Sequence, residues 1–201
     1  IYNSVEKLKN DFEEKLRIAD VYENLKKTAN GEIVSDNSKI TFERYIMGSY
    51  FEQVLYYANL RFSKMTGGRY EIIRGESRDK RISAGLEISV RDNFNNKERD
   101  ISSLSGGESF QASLALALGL SDIIQQRNGG IRLDSIFIDE GFGSLDNDSL
   151  ASAIETLNDL TGNGNRLVGI ISHISELKNS IGNKIEVVGT KSGSSIKIIT
   201  D

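Results

Sequence analysis

The sequence predicts an α/β chain with a helical arm at its start, and three observations carry that reading. From residue 101 onward, long helical patterns alternate with short continuous apolar runs, as expected of strands buried in a parallel sheet. Before them come two segments, the first dense in charge, whose apolar residues recur at helical spacing. Between these regions stand two strand-like pieces, "RYEIIR" from Arg69 and "LEISVRD" from Leu86, the second alternating Leu86, Ile88 and Val90.

Composition narrows the possible functions. At 201 residues the chain fits one domain, or one domain with an appendage. Its net charge of −4 excludes an electrostatic DNA clamp built from the whole chain, so nucleic-acid contact would need a local basic patch or a partner's charge. Without cysteine there are no disulfides and no thiolate metal sites. The single histidine, His173, excludes a histidine-rich two-metal nuclease. No apolar run approaches the roughly 18 residues of a membrane span, and no signal-peptide pattern opens the chain. A cytoplasmic location fits. The first residue is Ile1 rather than Met, which reads as a piece cut from a longer protein. The lack of proline has no functional reading.

Each element follows in order. In the first segment Ile1, Val5, Leu8 and Phe12 step by four, three and four, a coiled-coil seam. The seam shifts at Leu16 and continues through Ala19, Tyr22 and Leu25, a stutter. Gly31 stops it, so residues 1–31 are expected to form a coiled-coil stub and 32–201 the main domain. A second helix is expected over 41–65, with Tyr45, Phe51, Val54, Leu55, Ala58 and Phe62 on its apolar face and "TGG" at its end. Between the two strand-like pieces Arg74, Arg78, Lys80 and Arg81 cluster among Glu76 and Asp79. This segment reads either as a solvated hairpin tip or as a DNA-backbone contact. Next come a strongly apolar helix from Gly106, a strand "LDSIFIDE", a helix over 148–160, the loop "TGNGN" and a strand "RLVGIIS". A short helix from Ser175 and strands "KIEVVGT" and "SSIKIIT" close the chain.

Three short stretches carry chemistry. "FIDE" puts Asp139 and Glu140 at the carboxyl end of an expected parallel strand, where ligands gather in open α/β sheets. Neighbouring strand residues point opposite ways, so the two carboxylates would do different work. One could hold a hydrated Mg²⁺ and the other orient water for attack on a γ-phosphate. "GIISH" places His173 just past the second such strand, able to hydrogen-bond a γ-phosphate or the attacking water. In "LSGGES", Ser105 and Glu108 form a capping box, which leaves Gly106 and Gly107 unexplained. Bare backbone N–H groups beside a serine at the positive end of a helix can cradle a phosphate. Asp146 lies on the loop "GFGSLD" directly after "FIDE".

In this order, "LSGGES", "FIDEGFGSLD" and "ISH" resemble the signature motif, Walker B, D-loop and switch histidine of ABC-type ATPases. The longer stretches "LSGGESFQASLALALGLSDIIQ", "GGIRLDSIFIDEGFGSLD", "VGIISHISEL" and "ANLRFSKMTGGRYEI" resemble the C-terminal half of the SbcC family, in the SMC-like branch. The resemblance implies the C-terminal lobe of an ATPase head using ATP and Mg²⁺. It implies that Ser105, Gly106 and Gly107 contact the γ-phosphate of ATP on an opposite head, with Asp146 coupling the two sites. Asp139 would support Mg²⁺, Glu140 would position or activate water, and His173 would sense the γ-phosphate. Where relatives often carry proline after the D-loop aspartate this chain has Asn147, and Asp148 and Ser149 are expected to cap the next helix instead.

No "GxxxxGK[ST]" loop occurs in the 201 residues. The chain is therefore expected to be inactive alone and to need the N-terminal, Walker A half of the same protein. The resemblance further implies a second identical head, the SbcD nuclease and double-stranded DNA as partners, in cleavage of DNA ends or hairpins. Two other readings compete. One is a DNA-tethering head of the SMC or RecN kind without a nuclease partner. The other is a transporter nucleotide-binding domain, which fits the helix "ESFQASLALALGL" and the coiled-coil opening poorly.

Overall fold

A computed structural model describes residues 2–32, 41–75, 86–127, 133–164, 166–190 and 193–200. Its first element, α1 (Tyr2–Ala29), is one continuous helix. The seam residues Val5, Leu8, Phe12, Leu16, Tyr22 and Leu25 are all exposed along it. Ile1 lies outside the described residues. The helix ends where sequence predicts. Gly31 takes φ 71°, while the N–H groups of Gly31 and Glu32 donate to the carbonyls of Thr28 and Lys27, a glycine-based stop that satisfies the last orphan acceptors.

Helix α2 (Phe42–Met65) starts at Thr41, whose Oγ1 accepts the Arg44 N–H at 3.3 Å. It stops at Gly67 and Gly68, both left-handed at φ 59° and 77°. Val54, Leu55, Ala58, Phe62 and Met65 are buried. Tyr45 is not: it is 67% exposed, because the N-terminal turns of α2 run beyond the surface that its neighbours cover. The tight helix crossing follows from small residues. A Cβ on Gly119 of α3 (Gly106–Arg127) would sit 2.7 Å from the Ala58 nitrogen and the Val54 carbonyl oxygen, so only glycine lets α3 lie against α2 at this distance.

Three small sheets are present among the described residues. In the first, β1 (Tyr70–Arg74), β2 (Ile88–Asp92) and β3 (Lys97–Asp100) run antiparallel in that order. Tyr70, Ile72 and Val90 face the helical core. The sequence reading lacks β3, since "KERD" carries no apolar alternation; it pairs with β2 as a charged edge, a form that resists further strand addition. Arg78, Lys80 and Arg81 lie outside the described residues, whereas Arg74 is paired to Glu52 at 3.0 Å.

The second sheet pairs β4 (Ser135–Asp139) with β5 (Leu167–Ile171) in parallel, linked through α4 (Asn147–Gly164). The expected α/β architecture is therefore present. "TGNGN" differs from expectation: Thr161 to Gly164 continue α4 rather than forming a loop. Burial differs as well. Ile136, Ile138, Val168 and Ile170 join the helical core, but Phe137, Leu167 and Ile171 are exposed, Phe137 at 71%. The strands are buried on one face only, because no element among the described residues covers the other.

After the short α5 (Ser175–Ser180), β6 (Lys184–Thr190) and β7 (Gly193–Ile199) form an antiparallel ribbon. The cross-strand pairs Ile185–Ile198 and Val187–Ile196 also stand exposed. No helix among the described residues is long and apolar enough to cross a membrane.

Candidate functional site

Strand β4 delivers its two carboxylates differently from the alternation that sequence suggested. Asp139 is the last strand residue, paired with Ile171. Glu140 lies past the strand end with φ 58°, and its N–H donates to the Ile171 carbonyl at 2.9 Å. Its direction is set by this left-handed turn and not by strand alternation. A non-glycine residue held at positive φ stores strain, and such residues cluster at functional sites. Gly141 follows at φ 102°, where a Cβ would lie 2.2 Å from the Phe110 ring. Glycine is required there twice over, by conformation and by space.

The parallel pairing of β4 with β5 brings His173 to the same end. Its Nδ1 lies 3.1 Å from the Glu140 carboxylate. Both side chains are open to solvent, His173 at 81% and Glu140 at 51%. The Asp139 carboxylate makes no hydrogen bond or ion pair among the described residues, and no group of three metal-ligating side chains occurs there. This donor set does not build a dedicated metal cage. It fits Mg²⁺, which takes one or two carboxylates together with phosphate oxygens and water.

The second part of the site is the start of α3. The capping box forms as predicted: the Ser105 N–H donates to Glu108 Oε2 at 2.8 Å, and the Glu108 N–H donates to Ser105 Oγ at 3.3 Å. Burial alone would raise the Glu108 carboxyl. Hydrogen bonds from Ser105 and Tyr70 and the charge of Arg69 outweigh it and hold the group below the ordinary glutamate range. The two glycines separate here. A Cβ on Gly107 would come within 2.8 Å of the Ser144 carbonyl oxygen, whereas one on Gly106 would meet only the Ser144 Cβ at 3.5 Å. Gly107 is bare so that the loop after β4 can pack against it; only Gly106 leaves its backbone open.

That loop joins the two parts. A 3₁₀ turn, Phe142–Ser144, is anchored by buried Phe142 against Phe110 of α3, ring centroids 4.8 Å apart. Asp146 then caps α4, its Oδ1 accepting the Ser149 N–H at 2.8 Å, and this bond holds its carboxyl below the usual aspartate range. The expected cap by Asp148 and Ser149 is thus replaced by Asp146, and Asn147 opens the helix. Within one chain, then, Asp139, Glu140 and His173 share a strand end. Gly106 and Gly107 meet Ser144 of the segment that leaves this end, with Ser105 just before them in the capping box and Asp146 at the start of α4. Sequence reasoning missed Arg69, Tyr70 and Ser144. Their contacts arise from distant chain segments and leave no local pattern.

The family described as SbcC/RAD50-like, Walker B motif, matches residues 76–159. A Vibrio cholerae protein, the SbcC component of the nuclease SbcCD, is 49% identical over 173 residues, covering 86% of this chain and 17% of that protein. A protein of the same description from Staphylococcus epidermidis is 56% identical over 153 residues, covering 76% and 15%. The chain thus spans about a sixth of the length of these curated relatives. Among solved structures, one described as "Structural biochemistry of ATP-driven dimerization and DNA stimulated activation of SMC ATPases" aligns with TM-score 0.59 at 14% identity, covering 78% of this chain and 89% of that one. The Pyrococcus furiosus Smc head with an extended coiled coil and the C-terminal domain of ScpA aligns with TM-score 0.57 at 18% identity, covering 98% and 47%. At these identities the structural likeness establishes the fold alone.

Proposed function

Because this chain belongs to the SbcC/RAD50-like family, we propose that it is the C-terminal half of an ATPase head whose nucleotide site is completed by a Walker A segment elsewhere in the same protein. Residues 1–31 are then the base of a coiled-coil arm and 32–201 the lobe. The observation that carries this reading is Glu140 in a left-handed turn, 3.1 Å from His173 at one strand end, in a chain with no Walker A loop of its own.

In this reading Glu140 orients the attacking water, and His173 holds Glu140 in place and senses the γ-phosphate. Asp139 would help to hold Mg²⁺, which would supply neutralisation of phosphate charge. Ser105 and the open N–H of Gly106 offer a phosphate cradle at the positive end of α3, for ATP on a second identical head. Asp146 fixes the loop between the two parts. The apolar faces of β4–β5 and β6–β7 receive the completing segment. The complete protein works in the cytoplasm with the SbcD nuclease on double-stranded DNA, closing its heads with ATP to regulate cleavage of ends or hairpins.

The test mixes this chain with the Walker A segment and follows ATP-dependent dimerisation and phosphate release. Dimers and turnover are expected only from the mixture. Ser105→Arg should abolish the dimer, and Glu140→Gln should keep the dimer while stopping hydrolysis. Mg²⁺-dependent turnover by this chain alone, lost in Glu140→Gln, would overturn the proposal. Failure of the complete protein to co-purify with a metallophosphoesterase would remove the nuclease part.

A further inference from the structure

The acceptor that satisfies the Ser105 N–H is itself an anion. Glu108 Oε2 occupies that donor at 2.8 Å, so a phosphate arriving at the cradle meets a carboxylate of the same sign on the group it needs. The other side of Glu108 faces a built alternative. Its Oε1 is 3.9 Å from Arg69 Nη1, at the limit of an ion pair, and the buried Tyr70 hydroxyl is near enough for the same carboxylate to add to the upward shift that burial gives it.

These two partners are fixed by the three-stranded sheet. Tyr70 is 2% exposed. The Arg69 guanidinium lies 4.6 Å from the Tyr70 ring centroid and 5.6 Å from that of Phe94. It also pairs with buried Asp92 at 3.5 Å. The short bond to Ser105 and the long approach to Arg69 leave room for the carboxylate to move from the first to the second.

We propose that Glu108 is a positioning residue that yields Ser105 to an incoming phosphate by transferring its carboxylate to Arg69 and Tyr70, so that phosphate binding tightens the tie between α3 and the β1–β3 sheet. This rests on the reading that Ser105–Gly107 receive a nucleotide phosphate. Coupling of this kind is reciprocal: whatever weakens the Arg69–Tyr70 alternative must also weaken phosphate binding.

The test uses heads assembled with the Walker A segment. Glu108→Gln keeps a capping oxygen but removes the charge, and should lower the ATP concentration for half-maximal dimerisation about threefold, the size of a single charge effect at a helix N-terminus. Arg69→Met and Tyr70→Phe should each raise it by about the same factor. In a Glu108→Gln background Arg69→Met should have no further effect. A weaker or unchanged Glu108→Gln head, or an Arg69→Met effect that persists in that background, would overturn the inference.

A second readout needs no nucleotide. In this chain alone, Tyr70→Phe should slow amide exchange at Ser105, because the carboxylate then stays on its N–H. A merely structural Tyr70 would give faster exchange, and that result overturns the inference too. If wild-type heads do not dimerise with ATP, or Ser105→Arg has no effect, the function proposal fails while the exchange result still decides the role of Glu108.

Discussion

The carbonyl oxygen of Ser144 lies 2.8 Å from where a Gly107 side chain would begin. This contact packs the loop after β4 against the start of α3. It gives the paired glycines two different jobs, one steric and one open to solvent.

Alanine at the two positions should therefore act in opposite ways. Gly107→Ala must displace backbone and should destabilise the chain by about 1–3 kcal/mol. Gly106→Ala meets an ordinary contact and should leave stability unchanged or raise it by up to about 1 kcal/mol. Urea denaturation of the two variants checks the difference.

Glu140 is strained by its left-handed backbone. Glu140→Gly should stabilise the chain by about 1 kcal/mol, whereas Glu140→Gln should not. A higher urea midpoint for the glycine variant only, with hydrolysis lost from assembled heads in both, is the expected outcome.

The capping box should be visible in the acid limb of stability. Glu108 is held below its ordinary pKa in the folded chain, so it contributes stability that is complete above the unfolded value near about 4.3. That contribution is lost as pH falls through the lower folded value, since the unfolded state binds the proton first. Glu108→Gln should destabilise the chain at neutral pH, and the gap to wild type should close as pH falls below about 4.3. A gap that stays constant down to acid unfolding would contradict this.

An ionic cluster ties α2, α3 and the approach to β5. Asp122 accepts from Arg61 at 2.7 Å and from Arg166 at 3.0 Å, and all three side chains are largely buried. Asp122→Ala strands two guanidinium groups and should cost about 3 kcal/mol. Thermal unfolding of that variant beside the combined Arg61→Met, Asp122→Leu and Arg166→Met variant, which removes every charge of the cluster, separates the stranded charge from lost packing.

Phe137 stands exposed on β4. Phe137→Ser should change the stability of this chain by less than about 0.5 kcal/mol, yet weaken its association with the Walker A segment. Pull-down and denaturation together check both halves of the statement.

Much of this protein was legible in its sequence because the physics is local. The α1 stop at Gly31 and the Ser105–Glu108 box each depend on residues within five positions of one another. Apolar periodicity gave α2, α3 and the β4–β5 pair. What failed was also physically specific. The β3 strand has no apolar signal, and its pairing comes from β2. Thr161 to Gly164 continue α4 against their own weak propensity. Tyr45 shares the helical spacing of its buried neighbours but lies where nothing covers it.

The sequence by itself determined the motifs: which residue types they carry and in which order along the chain. Tertiary structure alone decided how they meet. It turned Glu140 out of its strand toward His173, assigned Gly107 to Ser144, made Asp146 the cap of α4, and set Glu108 between Ser105 and the Arg69–Tyr70 pair. Those relations join segments tens of residues apart. They depend on strand register, helix crossing and shared hydrogen-bond acceptors, which no local spacing encodes.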